Sequence, residues 1–295
     1  MSGQSLVEIF CDGNDQVGFG HIRRCLALAA KLRNENISVR LTGLSETAKK
    51  NLPVPEDEQA KASIAVFDSL AGIDKNIQNA NEQGQLTITL DWFGETVPDI
   101  NIVVFPHSEV RANIATYIGF EYIIIRDEIT VIPKTTQHKS NKKVLICLGG
   151  GDLLEQAADA ADMLSDRGFE VTLIQGPFAK KRKVASKKYT THINPANYSE
   201  LLANCDWTVV NGGGCFFESL CLGKPSFVLP QTELEMRIAL FAQQKNTVLG
   251  IGLRQLNSFE PVQLDKVAQN GIKLLDGCGL ERITAIIKKQ YDTGR

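Results

Sequence analysis

His21 is the residue in this 295-residue chain best placed to do chemistry. It follows Gly18-Phe19-Gly20 and precedes Ile22-Arg23-Arg24, where a short apolar strand, Val7 to Cys11, passes through a polar loop into a helix. Strand-to-helix turns collect backbone N–H groups and suit a phosphate-bearing ligand. In the first turn of a helix the dipole favours a neutral imidazole, the form a general base needs to take a proton from water or a hydroxyl. A purely structural histidine is the alternative. His107, His138 and His192 lack such surroundings and read as surface or structural.

Two further glycine turns follow strands, Gly149-Gly150-Gly151-Asp152 and Gly212-Gly213-Gly214. Glycine lets a backbone approach a ligand closely, and a following helix N-terminus favours negative charge. Any parallel sheet needs glycine at some such turns, so one alone is equally a backbone requirement. Three in series favour a diphosphate site. The first imitates the start of GxGxxG, but Arg23 stands where the third glycine belongs and no acidic residue ends the next strand in the ribose position, which disfavours a dinucleotide. The P-loop signature GxxxxGK[ST] is absent.

The elements that must hold these turns alternate along the chain. In the first half the apolar runs Val7 to Cys11, Val39 to Thr42, Ile64 to Phe67, Thr87 to Leu90, Ile102 to Phe105 and Tyr122 to Ile125 read as strands of a mostly parallel sheet. The first helix puts Ile22, Cys25, Leu26, Ala29 and Leu32 on one face. Ile132 to Lys143 is polar and reads as an interdomain linker, after which a second α/β series starts at Val144. The expectation is an α/β protein with an N-terminal domain over 1–135 and a C-terminal nucleotide-binding domain over 142–295. Open α/β sheets bind ligands at the carboxyl ends of their strands, so a cleft between the two is the expected ligand position.

The GxGHxxR arrangement over Gly18 to Arg24, then Ile125-Arg126-Asp127-Glu128, Cys147-Leu148-Gly149-Gly150-Gly151-Asp152 and Asn211 to Glu218 resembles the GT-B nucleotide-sugar enzymes. Within that superfamily it is similar to the UDP-sugar hydrolases of pseudaminic acid biosynthesis, which remove UDP from a 2,4-diacetamido-2,4,6-trideoxy hexose. The resemblance implies two Rossmann-like domains facing across a cleft, a UDP-sugar as substrate and UDP as product. It implies His21 as the base that activates water at the anomeric carbon without a metal, inverting that centre; a base of this kind contributes about 10²- to 10⁴-fold. Glu218 would accept from the ribose hydroxyls, and Gly213, Gly214 and Cys215 would offer N–H groups to the pyrophosphate. Gly18, Gly20, Gly150 and Gly151 would line the nucleotide site, with Arg24, Asp68, Arg126 and Glu235 as candidate substrate contacts. The chain departs from the pattern at Phe67-Asp68-Ser69, where Asp-His is frequent, and at Glu235, where glutamine is usual. Asp68 and Glu235 stand as sugar contacts, though an acidic residue at a strand end or helix start is more often a cap.

An inverting glycosyltransferase, with an acceptor alcohol in place of water, and a non-catalytic nucleotide-sugar-binding subunit are the competing readings. Residue spacing argues against a metal site and against a serine elbow, and no cofactor is expected. The net charge of -2 gives no basic footprint for nucleic acid. Lys180-Lys181-Arg182-Lys183 with Lys187-Lys188 reads as a solvated face, with membrane-surface attraction as the sharper alternative. No apolar run reaches the roughly 20 residues that span a bilayer. The seven dispersed cysteines read as buried thiols of a cytoplasmic protein, monomeric or homodimeric.

Overall fold

A computed structural model describes residues 6–12, 20–53, 61–69, 72–105, 116–137, 140–149, 154–176 and 188–294. The chain divides into two compact units, one of Met1–Arg126 with Gly277–Arg295 and one of Asp127–Asp276.

In the first unit β1 (Leu6–Cys11), α1 (Gly20–Asn34), β2 (Ser38–Gly43), α2 (Glu46–Asn51), β3 (Ile64–Asp68), α3 (Asp74–Glu82), β4 (Leu86–Leu90), β5 (Ile100–Val103) and β6 (Tyr117–Ile118) follow in turn. Six parallel strands order as β2-β1-β3-β4-β5-β6. Strands buried on both faces need continuous apolar runs, which is why Ile64-Ala65-Val66-Phe67 is buried throughout. α1 buries Ile22, Cys25, Leu28, Ala29 and Leu32, and Leu26 packs at the margin.

The second unit holds α4 (Asp127–Thr130), β7 (Lys143–Cys147), α5 (Leu154–Asp166), β8 (Glu170–Gln175), β9 (Thr190–Ile193), α6 (Tyr198–Asn204), β10 (Trp207–Val210), α7 (Gly214–Leu222), β11 (Ser226–Val228), α8 (Glu233–Gln244), β12 (Val248–Ile251), α9 (Leu253–Ser258) and α10 (Leu264–Leu274). Its sheet is again parallel and six-stranded, ordered β12-β11-β10-β7-β8-β9. Trp207 and Phe227 are fully buried in its core.

Helix α11 (Gly279–Thr293) then returns to the first unit, where Leu280, Ile283, Ile287 and Tyr291 join the core of β1 and α1. This differs from the expected division at 135/142. The polar segment after Ile132 also belongs to the second unit: the Thr135 amide donates to the Leu222 carbonyl, and Lys134 Nζ donates to the Asp276 carbonyl. One backbone bond and one lysine side chain thus tie it to the second unit.

The run Tyr122 to Ile125, expected as a strand, is not one. Gly119 at φ +146 ends β6, a 3-10 turn covers Phe120–Tyr122, and Ile123 and Ile125 are buried without a ladder partner. Gly279 packs directly on this backbone: a Cβ there would lie 2.1 Å from the Ile123 carbonyl oxygen. No helix among the described residues is long and apolar enough to cross a membrane.

Candidate functional site

Each sheet has one point where the chain leaves neighbouring strands in opposite directions, and ligand sites of open α/β sheets form there. In the first unit it lies between β1 and β3, in the second between β7 and β10. His21, Arg24 and Asp68 lie at the first, and Gly213, Gly214, Cys215 and Glu235 lie at the second.

In the first unit, Cys11 and Asp68 are register partners at the ends of β1 and β3, so α1 runs back across the Asp68 carboxylate. His21, Arg24 and Cys25 share one helix face by their i, i+3, i+4 spacing, and all three reach that carboxylate. His21 Nδ1 lies 2.6 Å from Asp68 Oδ1, Arg24 donates to both carboxylate oxygens, and Cys25 Sγ lies 3.4 Å from Oδ2. Arg24 Nη1 also approaches Asp91 Oδ2 at 3.4 Å.

Asp68 is fully buried. Burial alone would raise its pKa, but the Arg24 charge, with hydrogen bonds from Arg24 and His21, outweighs it and holds the carboxyl well below the usual carboxylate range. An ionised carboxylate only accepts hydrogen bonds, so in the neutral ring the proton sits on Nδ1 and the lone pair on Nε2. Arg24 Nη2 stands 3.0 Å from Nδ1 as a second donor to the same Asp68 oxygen, not as a partner of the ring. Burial works against the Arg24 cation, yet Asp68 and Asp91 keep it charged beyond the ordinary arginine range.

Asp91 follows β4 in the left-handed region, at φ +54, which aspartate tolerates better than most residues. Its Oδ1 accepts from the Val104 amide at 2.8 Å. Burial pushes its carboxyl up, against the pull of Arg24. Nothing in the sequence beyond its position after a strand marked Asp91.

In the second unit, two glycine turns meet side by side. Gly149, at φ +86, leads away from β7, and a Cβ there would stand 3.2 Å from Asn211 Nδ2. Asn211 follows β10, and its side-chain amide donates to Glu235 Oε1 at 2.7 Å, while Glu235 Oε2 accepts from the Gln231 backbone amide. A Cβ at Gly212 would lie 2.7 Å from that of Glu235, so only glycine lets α8 approach. α7 then starts at Gly214 with no side-chain cap and no acid in its first turn. Its first amides are thus uncapped by any side chain, a disposition that suits an anion, with the Glu235 carboxylate standing beside Gly213.

The structure thus places Gly213, Gly214, Cys215 and Glu218 on one turn and its helix, with Glu218 buried. Three of the candidate substrate contacts are engaged by other residues of the protein. Asp68 and Arg24 are tied to each other behind His21, because a buried carboxylate needs a compensating cation. Glu235 braces the glycine turn, and its amide is capped by Thr232. Gly20 is the first residue of α1, and Arg126 is half-buried at the end of the first unit's N-terminal segment. Gly18, Gly150, Gly151 and most of the basic stretch lie outside the described residues. Among the described residues no group of three or more His, Cys, Asp or Glu side chains is arranged to hold a metal ion. Five of the seven cysteines are buried, but Cys215 is only partly so and Cys278 is exposed, since it precedes α11 on the surface.

Two six-stranded parallel sheets with these turns define an α/β protein of the GT-B glycosyltransferase fold. Solved structures agree over nearly the full chain: MurG of Acinetobacter baumannii (13% identity, TM-score 0.70, 97% of this chain and 99% of that one) and the spinosyn rhamnosyltransferase SpnG (13%, 0.66, 98% and 100%). The glycosyltransferase SsfS6 of Streptomyces sp. SF2575, solved with thymidine diphosphate, matches at 12% identity and TM-score 0.62, covering 97% and 99%. By sequence, the chain is 24% identical to the spore coat polysaccharide biosynthesis protein SpsG of Bacillus subtilis, covering 97% of this chain and 98% of that protein. It is 26% identical to the uncharacterized protein MJ1062 of Methanocaldococcus jannaschii over 78% of this chain and 56% of that one. Comparison with protein-family profiles gives no match.

Proposed function

We propose that the chain is an inverting GT-B glycosyltransferase that takes a nucleoside-diphosphate sugar as donor, with His21 as the base that deprotonates an acceptor hydroxyl. The observation that carries this reading is the His21–Asp68 contact at 2.6 Å, which leaves Nε2 as the proton acceptor and gives the imidazolium formed on proton transfer a buried counter-charge. The uncapped head of α7 and the adjoining turns supply amides for the departing diphosphate, with Glu218 one turn further for the ribose. Full-length similarity to a polysaccharide biosynthesis protein and to glycosyltransferase structures supports sugar transfer.

The second reading keeps the same residues and puts water in the acceptor's place. It rests on the order of the GxGHxxR, LGGGD and NGGG segments, which resembles the UDP-sugar hydrolases. Incubation with UDP-sugars in ¹⁸O-water separates the two. Turnover only after an acceptor alcohol is supplied supports transfer; label in the free sugar supports hydrolysis; label in the phosphate removes attack at the anomeric carbon. UDP bound without turnover under any condition would leave a binding subunit. His21→Ala should lower turnover by about 10²- to 10⁴-fold with UDP affinity nearly unchanged, and an unaltered rate would take His21 out of the mechanism.

A further inference from the structure

Cys147 ends β7 and Cys215 is the second residue of α7, and their sulfurs lie 3.2 Å apart although 68 residues separate them in sequence. The ladder accounts for the approach: Cys147 pairs with Val210 across β7 and β10, and the turn after Val210 brings the first turn of α7 back to the end of β7. Both residues are reduced, with Cys147 buried and Cys215 partly open to solvent. A disulfide needs sulfurs about 2.05 Å apart, so closure asks for a movement of roughly 1 Å, within the range of small side-chain rotations. Neither sulfur has a part in the proposed proton transfer.

The geometry points to an oxidisable dithiol: Cys147 and Cys215 form a site of reversible disulfide formation whose oxidant is hydrogen peroxide. The more accessible sulfur, Cys215, attacks one peroxide oxygen; the O–O bond breaks, the sulfur becomes a sulfenic acid, and the second oxygen leaves as water with the thiol proton. The Cys147 sulfur then displaces the hydroxyl from Cys215, forming the S–S bond and releasing a second water. Two thiols lose two hydrogens, and the peroxide is reduced to two waters. The hydrogen bond between the thiols, followed by burial, pushes the Cys215 thiol up, which keeps Cys215 protonated at rest and slow to react. Cys11 and Cys25 also touch, but both are fully buried, so they serve as an internal control.

The test uses the intact chain, treated with hydrogen peroxide, alkylated with iodoacetamide, digested without reductant and mapped by mass spectrometry. The expected product links the Cys147 and Cys215 peptides with loss of two hydrogens, and dithiothreitol restores both thiols. In Cys147→Ser, which removes the resolving sulfur, dimedone should label Cys215. The proposal is overturned if both residues remain alkylated thiols, if Cys215 stops at an oxygenated sulfur in the unmodified chain, or if either residue is joined to another cysteine such as Cys278. Because the mapping uses the natural sequence, it decides the matter even where the serine variant fails to fold.

Discussion

Nδ1 of His21 lies 2.6 Å from Oδ1 of Asp68, a carboxylate with no solvent exposure. One acidic group therefore does two things for the imidazole: it fixes which nitrogen carries the proton and it supplies a counter-charge when the other nitrogen takes one up.

Replacing Asp68 by asparagine removes that counter-charge while keeping the shape. Turnover should fall by about 10³- to 10⁴-fold, the scale seen when the carboxylate behind a histidine base is neutralised. KM for the donor should change little, because Asp68 is enclosed behind His21. Steady-state kinetics on the two proteins checks this, and a loss confined to KM would return Asp68 to the role of a sugar contact.

Acid should also find this residue. The folded chain holds the Asp68 carboxyl below its unfolded value, so from about pH 4 downward the unfolded chain binds the extra proton. The stabilising contribution is therefore complete above that range and drains away as pH falls through it toward the folded value. Urea midpoints measured across this range should drop more steeply for the natural protein than for Asp68→Asn. Parallel curves would assign the acid sensitivity to other carboxylates.

Arg24→Lys keeps the charge and removes the fork. Guanidinium reaches both oxygens of Asp68 and, through a third nitrogen, Asp91; a single ammonium cannot serve all three. Stability should fall by about 1–3 kcal/mol, as for a buried group left short of hydrogen bonds, and turnover should fall with it. Chemical denaturation and kinetics on the same preparation provide the check, and a fully active, equally stable lysine variant would show that the fork is dispensable.

Gly212→Ala tests the second unit. The added methyl would stand 2.7 Å from the Cβ of Glu235, with backbone behind it, so α8 must shift. A cost of about 1–3 kcal/mol is expected for such overpacking, together with weaker UDP binding by calorimetry. Unchanged UDP affinity would detach this turn from nucleotide binding.

The first glycine turn announced its histidine because a base, a helix start and a strand end coincide within a few residues. The Asp68 partnership was less legible: 47 residues separate it from His21, and the contact exists only because β1 and β3 are neighbours in register. Asp91 carried no local signal, since its role depends on where the Arg24 fork ends. The same limit applies to Tyr122 to Ile125, whose composition suits a strand while the glycine before it and the packing of Gly279 decide otherwise. Asn211 was visible as part of a motif, but its bond to Glu235 required the approach of α8.

The return of α11 to the first unit bears on the order of events during synthesis. Strands β1 to β6 leave the ribosome first, yet Leu280, Ile283, Ile287 and Tyr291 must arrive before the apolar surface shared by β1 and α1 is fully covered. The second unit, continuous from Asp127 to Asp276, has no such dependence and can complete its core earlier. The half of the molecule that carries His21 is thus translated first and finished last.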